Sequence, residues 1–274
     1  MLQYYTIYST MSITNIQYKL LKGKKPVKNQ LKAVVLAAGK GTRLHTDEID
    51  APKVMREACG KPLLWYVLDA ISFIEKKDTI LIVGYKKDSV INYFNNYPYA
   101  IQKEQLGTGH AVMAAEEELE NYEGELLVCN GDMPAIKSDV YRQLVQTHKD
   151  ENNDCTILTG ESSLKMSFGK VERDTAGKFK ALVEERDCTP NQLKITELNT
   201  GIYIFNKPKL FNALKELKND NAQGEYYITD VPSIMLKNGE KIGIYKNNLG
   251  DDIIGINTVE HLEMVEKILN GHSL

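Results

Sequence analysis

Gly39, Gly41 and Arg43 close the run AVVLAAGKGTRL at residues 33 to 44, where an apolar strand passes directly into a loop. Glycine has no Cβ, so the backbone can turn tightly and press its N–H groups on an anion, while Arg43 adds a planar, permanently charged fork. That construction suits the phosphates of a nucleotide, although a glycine pair after a strand is also common punctuation before a helix. Two familiar glycine loops are excluded. A dinucleotide fingerprint needs a third glycine where Leu44 stands, and a P-loop needs Gly-Lys-Ser/Thr where the chain has Gly41-Thr42-Arg43.

Other residues could serve the same chemistry. Asp132 follows the apolar run ELLVCN at residues 125 to 130. A carboxylate at a strand end beside phosphates is a natural Mg²⁺ ligand, because Mg²⁺ takes one or two protein oxygens and keeps most of its waters. Lys53, downstream of Arg43, is a second cation for phosphate neutralisation. Residues 102 to 110, QKEQLGTGH, join a strand to a helix through Gly107 and Gly109, and the amides there with the Thr108 hydroxyl form a second hydrogen-bonding nest. Gln102 offers a two-faced amide suited to the edge of a base, and His110 reads as structural. Asn257 precedes the last helix, where an asparagine either caps the helix or lends its amide oxygen to the metal. Gly169, Glu184 and Asn199 stand in or at the ends of strands, where hydroxyl-rich ligands are held. No Ser-His-Asp order is present, and the histidines at 45, 110, 148, 261 and 272 lack metal spacing.

These groups must be placed by their elements. From residue 32 onward β-rich runs alternate with helical patterns, with strands expected at 32 to 37, 79 to 84, 99 to 103, 125 to 130 and 154 to 159. Behind Pro62, the stripe Leu63, Leu64, Val67, Leu68, Ile71 and Ile74 marks a helix. Such alternation implies an α/β fold, a Rossmann-like, mostly parallel sheet with helices on both faces, whose ligands sit beyond the carboxyl ends of the strands. The rhythm then changes. Residues 168 to 184 read as two strands joined at Asp174-Thr175-Ala176-Gly177, and 200 to 205 as a third, which makes a smaller β-rich lobe over about 160 to 230. A cleft between the two parts is the expected substrate site. Helices near 207 to 218 and 230 to 238, strands near 242 to 247 and 252 to 256, and a final helix striped by Val259, Leu262, Val265, Ile268 and Leu269 complete the pattern.

Composition bounds the function. The 274 residues can bury a large core, and the net charge of −3 argues against a nucleic-acid binder. Lys19, Lys22, Lys24, Lys25, Lys28 and Lys32 stand among the first 32 residues without an acid, leaving −9 for the remainder. Residues 1 to 31 are thus a basic N-terminal extension, read as poorly ordered and without a catalytic part, and 32 to 274 the working domain. The four cysteines, at 59, 129, 155 and 188, form no C-x-x-C pair and read as free thiols of a cytoplasmic protein. No apolar run of about 18 residues exists to span a membrane.

Taken in order, the segments resemble the sugar-phosphate nucleotidyltransferases, and among them the uridylyltransferase (pyrophosphorylase) half of the bifunctional GlmU enzymes, over about residues 32 to 270. LAAGKGTRL with PKVM is shared widely in that superfamily; EQLGTGHA at 104 to 111, ELNTGIY at 197 to 203 and NAQGEYYITDV at 221 to 231 are narrower. The resemblance implies a nucleotide-diphospho-sugar transferase fold with a sugar-binding second lobe, and a UDP-N-acetylglucosamine pyrophosphorylase that takes UTP and N-acetylglucosamine 1-phosphate, with Mg²⁺ as cofactor. It lays nucleotide binding on Leu36, Ala37, Ala38 and Gly39, phosphate contacts on Arg43 and Lys53, and uracil contacts on Gln102, Gly107 and Thr108. Asn130 and Gly131 with Asp132 would reach the metal and sugar nucleotide, Gly169, Glu184 and Asn199 the amino sugar, and Asn257 becomes the second metal ligand. Asn130 departs from the family, where a tyrosine is usual. No hexapeptide repeat of an acetyltransferase half precedes Leu274, so acetyl transfer is not expected. Two rivals share these features: a relative using glucose 1-phosphate with UTP or dTTP, and a non-catalytic nucleotide-sugar sensor.

Overall fold

The structure, a computed structural model, describes residues 31–41, 51–164 and 167–272. Residues 1 to 30 of the N-terminal extension and Arg43 lie outside the described residues, whereas Leu31, read as the end of the extension, opens the first strand.

The sheet grows from β1 (Leu31–Ala37), whose apolar residues face both ways. Ala33, Val35 and Ala37 enter the core on one side, while Val34 enters the other. A strand buried on both faces must be covered by helices on both. Around it, β11 (Ile242–Lys246), β7 (Cys155–Gly160), β10 (Leu198–Asn206), β6 (Glu125–Asn130), β1, β4 (Thr79–Val83) and β5 (Tyr99–Ile101) lie in that order. β10 runs antiparallel to both its neighbours on this path, and every other pairing along it is parallel. The mostly parallel sheet read from the alternation is therefore present.

One face is covered by α1 (Leu63–Ala70), through Leu64, Val67 and Leu68, and by α4 (Ser138–Asp150), through Val140, Tyr141 and Leu144. The short α2 (Lys87–Tyr93) adds Val90 to the same core. The other face carries α3 (Thr108–Met113), α5 (Lys207–Leu214) and α6 (Val231–Lys237). The hairpin β8 (Lys170–Arg173) and β9 (Phe179–Val183), closed through Asp174 and Gly177, joins β10 by way of β8. The small ribbon β2 (Glu57–Ala58) and β3 (Lys61–Pro62) packs with α7 (Val259–Leu269).

Two local expectations are corrected. No strand forms at 252 to 256: a 3-10 turn occupies Gly250–Ile253, and Ile254 and Ile256 pack on Ala58, Leu63 and Val265 instead of entering a sheet. The backbone N–H of Ile256 donates to the Asp132 carbonyl at 3.1 Å. The cap of α7 is Thr258, whose hydroxyl accepts from the His261 N–H, so the Asn257 side chain is free of capping.

Candidate functional site

Because β5, β4, β1 and β6 run parallel, their carboxyl ends reach one edge together. The register pairs Ala37 with Val83, Val83 with Ile101, and Leu36 with Asn130. The glycine loop after β1, Gln102 after β5, and Gly131-Asp132 after β6 consequently open on one cleft of about 370 Å³. Leu36, Ala38, Gly39, Lys53, Gln102, Gly107, Thr108, Asn130 and Asp132 line it. Ala37, also expected in the nucleotide loop, is an exception: its side chain is 1% exposed on the opposite face, so only its backbone is available to a ligand.

Lys53 is the electrostatic centre. Its ammonium forms an ion pair with Asp132 and donates to Asn257 Oδ1 at 2.8 Å. Two oxygen donors from distant parts of the chain thus converge on one cation, held in place by the Ile256 to Asp132 backbone bond. A hard-oxygen pair gathered round a positive charge is the donor set that Mg²⁺ accepts. Gly41 braces the lysine from behind. At φ +64° it holds its backbone so close that a Cβ would stand 2.7 Å from Lys53 Cβ, so the glycine loop and the lysine stem are packed as one unit.

The second nest is equally constrained. The Gly109 N–H donates to the Tyr226 carbonyl at 2.7 Å, the Tyr226 N–H to Leu106 at 2.8 Å, and the Ile228 N–H to the Thr108 hydroxyl at 3.0 Å. The segment following Glu225 therefore straps the Gly107 loop in place. Gly107 sits at φ +112°, and a Cβ there would lie 2.6 Å from the Tyr226 carbonyl oxygen. We expect Gly107→Ala to lose about 2 to 4 kcal/mol of stability, from backbone strain and the forced separation of the strap. Urea unfolding of the full chain measures this, and a loss under about 0.5 kcal/mol would contradict it.

Gly169, Glu184 and Asn199 are not among the residues that line this cleft. The Asn199 N–H donates to the Gly169 carbonyl at 2.8 Å, and the Asn199 amide donates to the Tyr203 hydroxyl at 2.8 Å while accepting from the Gly201 N–H at 3.1 Å. Asn199 is buried, with half of its amide valences already used. Gly201, which the sequence reading passed over, links the two groups. At φ +74° it lies against Asn130, so close that a Cβ would meet the Asn130 amide nitrogen at 2.4 Å. Gly131 contributes packing, its N–H bonded to the Leu36 carbonyl at 2.9 Å.

Glu184 accepts from the Thr229 hydroxyl at 2.9 Å. Burial raises its carboxyl above the ordinary glutamate value, and the negative charges of Asp230, Asp187 and Glu225 act in the same direction. The folded chain then holds this proton to higher pH than the unfolded chain does, so stability falls as pH rises from about 4.5 through the raised value. Glu184→Gln should accordingly stabilise the protein more at pH 7 than at pH 5, read by urea unfolding at both. An equal effect at both pH values would contradict the burial argument.

Lys40, Gln105 and Glu225 also line the cleft and were not singled out from the sequence. Gln105 and Glu225 lie inside the narrow motifs EQLGTGHA and NAQGEYYITDV, which was the available signal.

A mostly parallel sheet with glycine loops, a lysine and a carboxylate collected at its carboxyl edge defines an α/β protein whose ligand site lies beyond the ends of its parallel strands. The comparisons make the class specific. Residues 32–269 match the nucleotidyl transferase family, and the chain belongs to it. It is 41% identical over 225 residues to the bifunctional protein GlmU of Lactobacillus helveticus, covering 82% of this chain and 48% of that protein. Against GlmU of Caldanaerobacter subterraneus it is 41% identical over 241 residues, covering 88% and 52%. The chain thus spans about half the length of these curated relatives. Among solved structures, a UDP-glucose pyrophosphorylase complexed with UDP-glucose superposes with a TM-score of 0.68 at 20% identity, covering 88% of this chain and 99% of that one. A Bacillus anthracis protein assigned as a glucose-1-phosphate thymidylyltransferase, in complex with a sucrose, gives 0.67 at 18%, covering 89% and 97%. These two likenesses show that the chain shares their fold. Among the described residues no helix is long and apolar enough to cross a membrane.

Proposed function

We propose that this chain is a UDP-N-acetylglucosamine pyrophosphorylase, transferring UMP from UTP to N-acetylglucosamine 1-phosphate with release of pyrophosphate. The identity of about 40% to GlmU proteins across the domain supports the substrate pair. The observation that carries the chemistry is Lys53 held between Asp132 and Asn257 at the mouth of the glycine loop.

In this reading an oxygen of the sugar phosphate attacks the α-phosphorus of UTP in line. The bond from that phosphorus to the β-phosphate bridging oxygen breaks, and its electron pair leaves with pyrophosphate. The attacking oxygen is already anionic, so no general base is needed, and catalysis rests on positioning and charge neutralisation. Asp132 and Asn257 are the residues that would hold Mg²⁺, which supplies further neutralisation of the phosphates when bound. Lys53 and, from the sequence, Arg43 offset repulsion between the two polyanions and stabilise the leaving charge. The Gly39 to Gly41 backbone receives the phosphates, Gln102, Gly107 and Thr108 the base, and Gly169, Glu184 and Asn199, reached past Asn130, the amino sugar. A reaction drawing on UTP suits a cytoplasmic protein.

The test is pyrophosphate release across a panel of UTP, dTTP and CTP with N-acetylglucosamine 1-phosphate and glucose 1-phosphate, with and without Mg²⁺. Preference of at least about tenfold for UTP with the acetylated sugar is expected. Equal or better use of glucose 1-phosphate would transfer the assignment to the glucose relatives, and binding of UDP-N-acetylglucosamine without turnover to a sensor.

A further inference from the structure

Gln102 lines the cleft at the end of β5 and is 4% exposed, and both hydrogens of its side-chain amide are engaged within the protein. Nε2 donates to the Gly107 carbonyl at 3.0 Å and lies 3.1 Å from His110 Nδ1. A carbonyl oxygen has no hydrogen to give, so the amide nitrogen and not the amide oxygen must face Gly107. An amide NH₂ in turn cannot accept, so His110 Nδ1 is the acceptor and the neutral ring carries its proton on Nε2. The amide is thereby fixed from two sides. Its Oε1 has no partner among the described residues and is the valence left for a ligand. The two-faced amide read from the sequence presents one face.

We infer that His110 is a positioning residue for base recognition: by accepting from Gln102 Nε2 it keeps Oε1 toward the cleft, so the site takes a base that offers an imino N–H. This rests on the reading of the cleft as a nucleoside triphosphate site. Uracil and thymine carry that N–H at N3 and satisfy the carbonyl. Cytosine carries a lone pair there, which would face the Oε1 lone pairs in a buried place and leave both unpaired. UTP and dTTP are therefore not distinguished by Gln102, whereas CTP is refused.

The structural role expected for His110 is thus realised as a contact behind the base. The ring is held by its place in the first turn of α3, with the Tyr226 ring 6.5 Å away and Leu106, Met113 and Phe211 around the adjoining groove. Those apolar surroundings can accept a phenyl ring of similar volume. His110→Phe removes the acceptor and leaves the amide held by Gly107 alone. His110→Asn restores an acceptor near the position of Nδ1.

Calorimetric titration of the full-length chain with UTP and with CTP, in the absence of any sugar phosphate, reads the inference without turnover. Wild type should favour UTP by about a hundredfold, His110→Phe should lower that ratio about tenfold, and His110→Asn should recover most of it. In the pyrophosphate assay the loss should appear in KM for UTP more than in kcat. An unchanged UTP to CTP ratio in His110→Phe, or equal loss in the Phe and Asn variants, would overturn the role of His110. A wild-type chain that binds neither nucleotide would overturn the cleft assignment itself and the inference with it. A chain that prefers UTP yet uses another sugar phosphate leaves the inference standing while the proposed substrate pair fails.

Discussion

Asp132→Ala is expected to lower kcat about a thousandfold or more at saturating UTP and sugar phosphate, while the protein remains folded. Among the described residues the side chain pairs ionically with Lys53 alone, and it stands at the open end of β6 outside the hydrophobic core. Its removal withdraws the carboxylate that would hold Mg²⁺ and releases Lys53 from its fixed position. Both act on charge that develops between phosphates, where a misplaced electrostatic group costs far more than in water. The ion pair is part-buried, with 16% and 19% of the two side chains exposed, but Lys53 keeps the Asn257 acceptor and borders the cleft, so the cost to stability is about 1 to 3 kcal/mol, or several degrees in Tm. The decisive measurement is pyrophosphate release together with thermal unfolding of the same preparation. Turnover within tenfold of wild type would remove Asp132 from the chemistry, and loss of activity accompanied by a collapse in Tm would assign it a folding role instead.

Much of this arrangement was legible because parallel strands deliver their ends to one edge. Once β1, β4 and β6 are recognised as buried apolar runs, the residues after them must be neighbours, which is why Gly39 and Asp132 could be placed together from spacing; Gln102 was read inside a strand at 99 to 103 and in fact follows β5, which ends at Ile101. Asn257 was harder. Its segment reads as a strand because Ile253, Ile254 and Ile256 are apolar, yet Ile254 and Ile256 fill a separate small core under α7 while Ile253 packs into the main core, and the backbone N–H of Ile256 goes to Asp132. Periodicity reports that a residue is buried and not which layer buries it. Gly201 and the Gln102 to His110 contact were invisible for a related reason. One depends on a positive φ within a bulged strand, and the other on the orientation of a single amide fixed by Gly107 and His110, and neither a backbone angle nor an amide orientation is written in residue type or spacing.

Lys53 also connects the two halves of the site, and its removal should change catalysis and metal binding in opposite directions. In the structure its ammonium supplies the positive charge shared by Asp132 and Asn257. Lys53→Met keeps the stem that packs against Gly41 but deletes that charge. Without it, kcat/KM for UTP should fall about 10² to 10³-fold, since the phosphates lose a preorganised cation. The vacated oxygen pair is then available to a divalent ion, so affinity for Mn²⁺ in the absence of nucleotide should rise about tenfold, in proportion to the charge-assisted bonds that no longer compete. Electron paramagnetic resonance of free Mn²⁺ measures the second effect independently of turnover, and Asp132→Asn in the Lys53→Met background should abolish the gain. If Mn²⁺ affinity falls or stays level in Lys53→Met, the lysine does not compete for the metal donors. If the gain survives loss of the Asp132 charge, the ion binds elsewhere.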